Sequence, residues 1–179
     1  MNYADIKKYD IANGIGVRVS LFVSGCRHHC KGCFNPETWD FDFGKPFTDE
    51  TIKEIMTAVD KEFIRGLSLL GGEPLDESNQ PEILKLLRIF KTQCPDKTVW
   101  CYSGYDFDKD ILPLKLGNPD ITREILSYID VLVDGRFIES LKSLDLRFRG
   151  SSNQRIIDVQ ASLKANKTVP MPGNWLIEH

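Results

Sequence analysis

Short apolar runs alternate with amphipathic stretches along most of this chain. The first run, Val17–Val23, consists mainly of β-branched and apolar residues, which is typical of a buried strand. Similar runs predict further strands at 67–70, 98–102, 131–133 and 156–159. Apolar residues at helical spacing predict helices over roughly 49–62, 80–92 and 121–129. Strands and helices therefore alternate after a long loop that runs from the first strand to about Pro46.

The residues at two predicted helix starts support these assignments. Thr48 suits an N-cap, and Asp49 and Glu50 then lie where the helix dipole favours negative charge. Pro81 falls in the first turn of the second helix, where its missing N–H has no intrahelical partner to lose.

The alternation of strands and helices predicts an α/β fold with a mostly parallel sheet of five or six strands. A complete barrel of eight β/α units typically needs about 250 residues, whereas this chain has 179. We therefore expect a single domain, 1–179, folded as an incomplete, open-sided (β/α) barrel.

Composition narrows the class of protein. With 41% hydrophobic residues, 27% charged residues and a net charge of −3, the chain has the balance of a globular protein. Its basic residues are scattered, so we expect no nucleic-acid partner. No apolar run is long enough to span a bilayer and the N-terminus lacks the apolar centre of a signal peptide, so we expect a cytoplasmic protein without a membrane partner.

Three of the five cysteines lie within eight residues, in the segment C-R-H-H-C-K-G-C. This clustering favours a metal site in a reduced compartment over a disulfide framework. A loop carrying Cys26, Cys30 and Cys33 offers three thiolates and no fourth, so a [4Fe-4S] cubane held there would keep one iron free of protein thiolates. We interpret Cys94 and Cys101 as ordinary small residues.

The neighbouring histidines, His28 and His29, leave a zinc site open as an alternative. Three thiolates and one imidazole would complete a tetrahedral zinc site, and the protein would then be a binding module. We favour the cluster because a zinc-binding module would leave the glycine-rich turn and the other loops at the strand ends without a shared role. The two histidines are then simply exposed loop residues.

Four predicted strand exits carry candidate site residues, and in parallel α/β sheets ligands bind at the carboxyl ends of the strands. After the cysteine loop these residues are Gly71, Gly72 and Glu73, then Ser103, then Asp134 and Arg136. Two glycines let the backbone approach a ligand closely, and Glu73 supplies an anionic acceptor. Taken alone, the Gly-Gly-Glu-Pro turn is better explained as a plain strand exit, and the cysteines upstream reverse that balance.

The spacing C-x3-C-x2-C, followed some forty residues later by Gly-Gly-Glu-Pro, resembles the radical S-adenosylmethionine superfamily. Most of that superfamily has an aromatic residue immediately before the third cysteine, where this chain has Gly32. The pattern C-x3-C-x-G-C-F-N-x2-T-W, together with 99–105, 130–137 and 149–158, resembles the activating components of anaerobic (class III) ribonucleotide reductase. These matches span most of the chain.

The resemblance implies an activase that reductively cleaves S-adenosylmethionine at a [4Fe-4S] cluster to a 5′-deoxyadenosyl radical. This radical takes a hydrogen atom from a glycine in the large subunit of the reductase, and the open side of the barrel admits that glycine loop. The electron comes from a low-potential donor such as flavodoxin or ferredoxin.

The resemblance also implies roles for individual residues. Cys26, Cys30 and Cys33 are the cluster ligands, and the 71–73 turn holds the amino group of the methionine moiety. Residues assigned to the cofactor by analogy are Ser103, at its ribose or carboxylate, and Asp134, Arg136 and Asn153. The simpler alternatives are a turn residue for Ser103 and a surface ion pair between Asp134 and Arg136.

Two further enzyme classes remain open: an activase of another glycyl-radical enzyme, and a radical enzyme acting on a small molecule. The short chain argues against many of these enzymes, and Gly32 and Asn35 argue against the other activases. The segment 170–175 either folds over the site or ties down the terminus.

Overall fold

A computed structural model describes residues 1–173 of the chain. It contains seven strands: β1 (Asn2–Asp10), β2 (Val17–Val23), β3 (Lys45–Pro46), β4 (Ile64–Gly71), β5 (Thr98–Tyr102), β6 (Val131–Asp134) and β7 (Arg155–Asp158). It also contains four α-helices: α1 (Asp49–Val59), α2 (Gln80–Gln93), α3 (Pro119–Tyr128) and α4 (Val159–Ala165).

The strands form one sheet in the order β3-β1-β2-β4-β5-β6-β7. The central strands β2, β4, β5 and β6 are parallel to one another, and α1, α2 and α3 connect them in turn. Antiparallel strands complete both sides, with β1 and β3 beyond β2 and β7 beyond β6. The sequence analysis expected five or six mostly parallel strands, whereas the described residues form one mixed sheet of seven strands. The incomplete, open-sided (β/α) barrel stays a prediction.

All five predicted strands are found, with β2 at the predicted bounds. The prediction at 156–159 is wrong at its last residue, because Val159 begins α4, where Asp158 caps the helix by accepting from the N–H of Ala161. The structure also contains β1 and β3, which the sequence analysis placed in no element.

The predicted helices are found with small differences in length. Thr48 is the N-cap of α1, and its N–H donates to Thr51 Oγ1 at 3.1 Å. This helix ends at Val59 rather than near residue 62. A shorter helix brings the chain sooner into β4.

The two faces of the central sheet differ in chemistry. Side chains such as Val19 and Leu21 belong to the main apolar core, together with apolar residues of the helices. Intervening β2 residues lie on the opposite face, because side chains alternate along a strand. There the buried guanidinium of Arg18 donates to Ser68 Oγ at 2.8 Å and to the carbonyl of Thr98 at 2.8 Å. One side chain therefore ties β2 to β4 and β5 beneath the site.

The end of the described chain lies along β7. The N–H of Met171 donates to the carbonyl of Ile156 at 2.9 Å, and Pro170 forms a bridge with Ile157. The rest of the segment 170–175 that we singled out, from residue 174 on, lies outside the described residues.

Among residues 1–173, every helix is too short or too polar to cross a bilayer.

Candidate functional site

A cavity of about 440 Å³ lies at the carboxyl ends of the central strands. All four strand exits contribute to its walls, through Cys26, Cys30, Cys33, Gly71, Gly72, Glu73, Ser103, Gly104 and Gly135. Its volume is in the range of small-molecule sites. The structure therefore brings the cysteine loop and the Gly-Gly-Glu turn to one place.

The Gly-Gly-Glu turn packs backbone against backbone on the start of the cysteine loop. The N–H of Gly72 donates to the carbonyl of Val23 at 2.7 Å, and the N–H of Glu73 donates to the carbonyl of Gly25 at 2.8 Å. A Cβ on Gly72 would lie 2.6 Å from the Gly25 oxygen. The glycines thus allow a close approach of the chain to itself as well as lining the cavity.

A short 3-10 turn, Pro36–Trp39, holds the other side of the cysteine loop. The carbonyl of Thr38 accepts from the N–H of Gly25 at 2.8 Å, and that of Trp39 accepts from Cys26 at 3.1 Å. The T-W pair of the sequence motif is therefore part of the scaffold that fixes the first cysteine.

The unusual Gly32 has a conformational reason. Its φ is +72°, in the left-handed region that side chains strain to adopt. A Cβ there would also lie 2.8 Å from Glu139 Oε1. An aromatic residue in front of Cys33 does not suit this loop as it is folded.

Burial and nearby backbone N–H groups act in opposite directions on the pKa of two of the three cysteines. Burial raises the pKa of the Cys26 thiol to about 11, while N–H donors from His28 and His29 act in the opposite direction. Burial likewise raises the pKa of Cys30, opposed by the N–H of Phe137. Such donors stabilise thiolates and are among the features that tune iron–sulfur clusters. The donor set therefore fits a cluster.

A single-ion site has less support than a cluster. Within the described part of the chain, no three His, Cys, Asp or Glu side chains are placed to hold one metal ion. Zinc requires its donors within about 2.3 Å of one point, whereas in a cubane each thiolate binds a different iron. The arrangement thus gives the zinc module no positive support.

The carboxylate of Glu73 is buried and already carries three hydrogen bonds. Oε1 accepts from the N–H of Leu75 at 2.9 Å, and Oε2 accepts from the N–H of Gly104 at 2.7 Å and from His28 Nε2 at 3.0 Å. A carboxylate has about four acceptor sites. One acceptor site on Oε1 therefore has no donor among residues 1–173.

The interpretation of both loop histidines as exposed is wrong for His28. Its side chain is only 5% exposed, because its ring lies against Glu73 and Tyr105. No local sequence pattern indicates this contact, since the partner is 45 residues away. His29 is exposed and stacks on Trp39 with ring centroids 4.7 Å apart.

Ser103 lines the cavity and also shapes its own turn. Its Oγ accepts from the N–H of Tyr105 at 3.1 Å. A contact between Ser103 and a cofactor stays a prediction.

Three predicted cofactor residues do not line the cavity: Asp134, Arg136 and Asn153. Asp134 is buried and pairs with Arg155, not with Arg136; its Oδ1 accepts from Arg155 Nε at 3.0 Å. Arg136 is exposed, and its carbonyl accepts from Asn153 Nδ2 at 2.9 Å. These side chains organise the segment between β6 and β7.

Several cavity-lining residues were not among the predicted ones, including Asn13, Phe22, Tyr102, Phe148 and Gln154. Phe22 and Tyr102 are identifiable from the alternation along β2 and β5, which turns them away from the helix-covered face. The others come from loops whose positions depend on the tertiary fold.

Comparison with known proteins places these features in a family. A family model described as a 4Fe-4S single cluster domain matches residues 12–157. The chain is 42% identical over 156 residues to the anaerobic ribonucleoside-triphosphate reductase-activating protein of Enterobacteria phage T4, covering 87% of this chain and 93% of the relative. The protein of the same name from Escherichia coli is 42% identical over 156 residues (86% and 96% covered), and that from Vibrio cholerae is 42% identical over 158 residues (87% and 97%).

Proposed function

Because this chain belongs to the family of anaerobic ribonucleoside-triphosphate reductase-activating proteins, we propose that it generates a glycyl radical on the large subunit of an anaerobic ribonucleotide reductase. Its [4Fe-4S] cluster is held by Cys26, Cys30 and Cys33, and S-adenosylmethionine binds at the open iron. When bound and reduced by one electron, these cofactors would supply methionine and a 5′-deoxyadenosyl radical, which would take a hydrogen atom from the partner's glycine and leave as 5′-deoxyadenosine.

One observation carries the proposal. The three cysteines and the Gly-Gly-Glu turn line the same cavity and are joined by backbone hydrogen bonds, such as Glu73 N–H to the carbonyl of Gly25 at 2.8 Å. A displacement of one loop would therefore displace the other. This coupling suits a reaction in which a ligand must contact the cluster and the turn together.

Glu73 gives the site its acceptor for a cationic group. Its carboxylate is buried, and one acceptor site remains open on Oε1. Attraction to an ammonium is stronger in such a poorly solvated place than in water. Glu73 therefore suits the amino group of the methionine moiety.

Apolar side chains complete the wall of the cavity. Phe22, Leu70 and Phe148 line it beside the glycines. Such a wall excludes water from the reacting atoms, which a carbon radical requires.

We also propose an electron donor and a compartment. A reduced flavodoxin or ferredoxin has the low potential needed to reduce the cluster. We assign the protein to the cytoplasm, where its five free cysteines suit a reducing environment.

The test of this function is radical transfer to the partner. The anaerobically reconstituted protein is mixed with reductase, S-adenosylmethionine and dithionite, and electron paramagnetic resonance is recorded. We expect a glycyl radical signal that is absent without S-adenosylmethionine and absent when the reductase glycine is changed to alanine. A signal only on a different glycyl-radical enzyme would mean that this enzyme, and not the reductase, is the partner. The absence of a signal on every enzyme tested would contradict the proposal.

A further inference from the structure

His28 lies at the point where three of the site loops meet. Its ring nitrogen Nε2 is 3.0 Å from Glu73 Oε2 in the Gly-Gly-Glu turn. Its ring packs edge-on against Tyr105, with centroids 4.5 Å apart. Gly104 makes room for the ring, since a Cβ there would lie 2.4 Å from His28 Cδ2.

The main chain of His28 serves the cluster side of the same site. His28 is the second residue after Cys26, the first proposed cluster ligand, in the cysteine loop. His28 therefore belongs to the cysteine loop through its backbone and contacts the proposed cofactor acceptor through its side chain.

The ring sets the orientation of the Glu73 carboxylate. The other two donors to this group are backbone N–H groups, of Leu75 on Oε1 and Gly104 on Oε2. Among the hydrogen bonds of residues 1–173, His28 supplies the one that the Glu73 carboxylate receives from a side chain. Because a carboxylate only accepts, Nε2 carries the proton in this pair. Its loss would leave Oε2 with a single donor and the carboxylate freer to rotate.

We propose that His28 is a positioning residue that fixes the Glu73 carboxylate and so couples the cysteine loop to the binding of S-adenosylmethionine. This inference rests on the proposed function, which assigns the ammonium of the cofactor to Glu73. His28 itself holds no cluster iron and contacts no reacting atom. Removal of the His28 side chain should weaken the binding of S-adenosylmethionine and leave the cluster in place.

Two substitutions separate the hydrogen bond from the bulk of the ring. His28→Ala removes both, whereas His28→Gln keeps an N–H donor near the position of Nε2. His29→Asn is the matched control, because it changes the neighbouring histidine, which is exposed, and asparagine tolerates the left-handed conformation (φ +47°) of that position.

Three measurements are made on each anaerobically reconstituted protein. Iron and sulfide analysis reports the cluster. Equilibrium dialysis gives the Kd for S-adenosylmethionine, and electron paramagnetic resonance shows whether the cofactor changes the spectrum of the reduced cluster.

We expect all variants to hold as much iron as the wild type. His28→Ala should raise the Kd about tenfold or more, in keeping with the loss of a hydrogen bond to a charged group. His28→Gln should stay within about threefold, and His29→Asn should match the wild type. In a Glu73→Gln background, His28→Ala should add little, because the two residues act through one contact.

Each other outcome is informative. An unchanged Kd for His28→Ala would overturn the positioning role and leave the proposed function standing. Equal weakening in His28→Ala and His28→Gln, or loss of iron from both, would also overturn it, because the hydrogen bond would then not be the cause. A wild-type protein that holds its cluster but binds no S-adenosylmethionine would overturn both proposals.

Discussion

At Gly71 the backbone geometry excludes any side chain. Its φ is +105°, and a Cβ would lie 2.7 Å from both the N and the O of Val23. Those atoms belong to backbone at the end of β2 and have little freedom to move. The residue therefore sets how closely β4 approaches the start of the cysteine loop.

Gly71→Ala should destabilise the cluster-free protein by about 3 kcal/mol, because both the left-handed backbone and the contact with Val23 become strained. Thermal and urea unfolding of the two proteins measure the difference. Gly173→Ala is the control, since nothing lies within 4 Å of a Cβ at that position. Equal stability of Gly71→Ala and the wild type would show that the turn is looser than described.

Asp10 gives a prediction on acid stability. Burial by itself raises the pKa of this carboxyl, but hydrogen bonds from Asn13 Nδ2 and from the N–H of Ala12 contribute to a net lowering. A pKa lowered in the folded state adds stability above the unfolded value of 3.8, and this stability is lost as the pH falls through the folded value.

Asp10→Asn should therefore cost about 1 kcal/mol near pH 7, and the gap to the wild type should close below about pH 4. Urea unfolding of both proteins from about pH 3 to about pH 7 measures the gap, because carboxyls titrate in the lower part of this range. A gap that is constant over this range would show that the carboxylate charge plays no part.

At the scale of elements, β7 is joined to β6 by an ion pair in addition to its ladder. Arg155 on β7 donates through Nε to Asp134 Oδ1 at 3.0 Å and through Nη1 to Asp108 Oδ2 at 2.7 Å. Asp134 also accepts from the N–H of Phe107 at 2.8 Å. The pair thus links two strands and the 107–111 turn beside the cavity.

Arg155→Gln should lower the free energy of unfolding by about 3 kcal/mol, because it leaves the buried Asp134 without its charged partner. Chemical denaturation is the measurement. Arg123→Gln removes an exposed pair with Asp120 within α3 and should change stability by less than about 1 kcal/mol. Similar effects of the two substitutions would mean that the Asp134 pair is as well solvated as a surface pair.

Most strands and helices could be predicted from the sequence because each has its own local pattern of apolar residues. β2 is apolar toward the helices and buried on both faces, so its run of residues was unambiguous. β1 was not predicted because Lys7 and Lys8 are exposed in its centre and interrupt the apolar pattern. Its position depends on pairing with β2, which no local pattern records.

The same distinction applies to the site. The three cysteines and the Gly-Gly-Glu turn are short motifs, and their loops meet as expected because parallel strands end at one edge of the sheet. The contact of His28 with Glu73 and the pairing of Asp134 with Arg155 join residues 45 and 21 positions apart. Sequence alone does not specify such pairs, so His28 was misassigned and Asp134 was paired with Arg136.

At the scale of the whole molecule, the sheet brings four loops to one cavity and leaves the helices on the opposite face. The cysteine loop is held from both sides, by the Gly-Gly-Glu turn and by the 3-10 turn Pro36–Trp39. We propose that this scaffold presents three cysteines to one cluster, whose fourth iron would bind S-adenosylmethionine.

The formation of 5′-deoxyadenosine by single cysteine variants tests whether all three cysteines hold the cluster. With dithionite and S-adenosylmethionine, the wild type and Cys94→Ala should form the nucleoside, because Cys94 lies at the end of α2, outside the cavity lining. Cys26→Ala, Cys30→Ala and Cys33→Ala should each fall to the background without enzyme. Full nucleoside formation by any of these three variants would contradict the account.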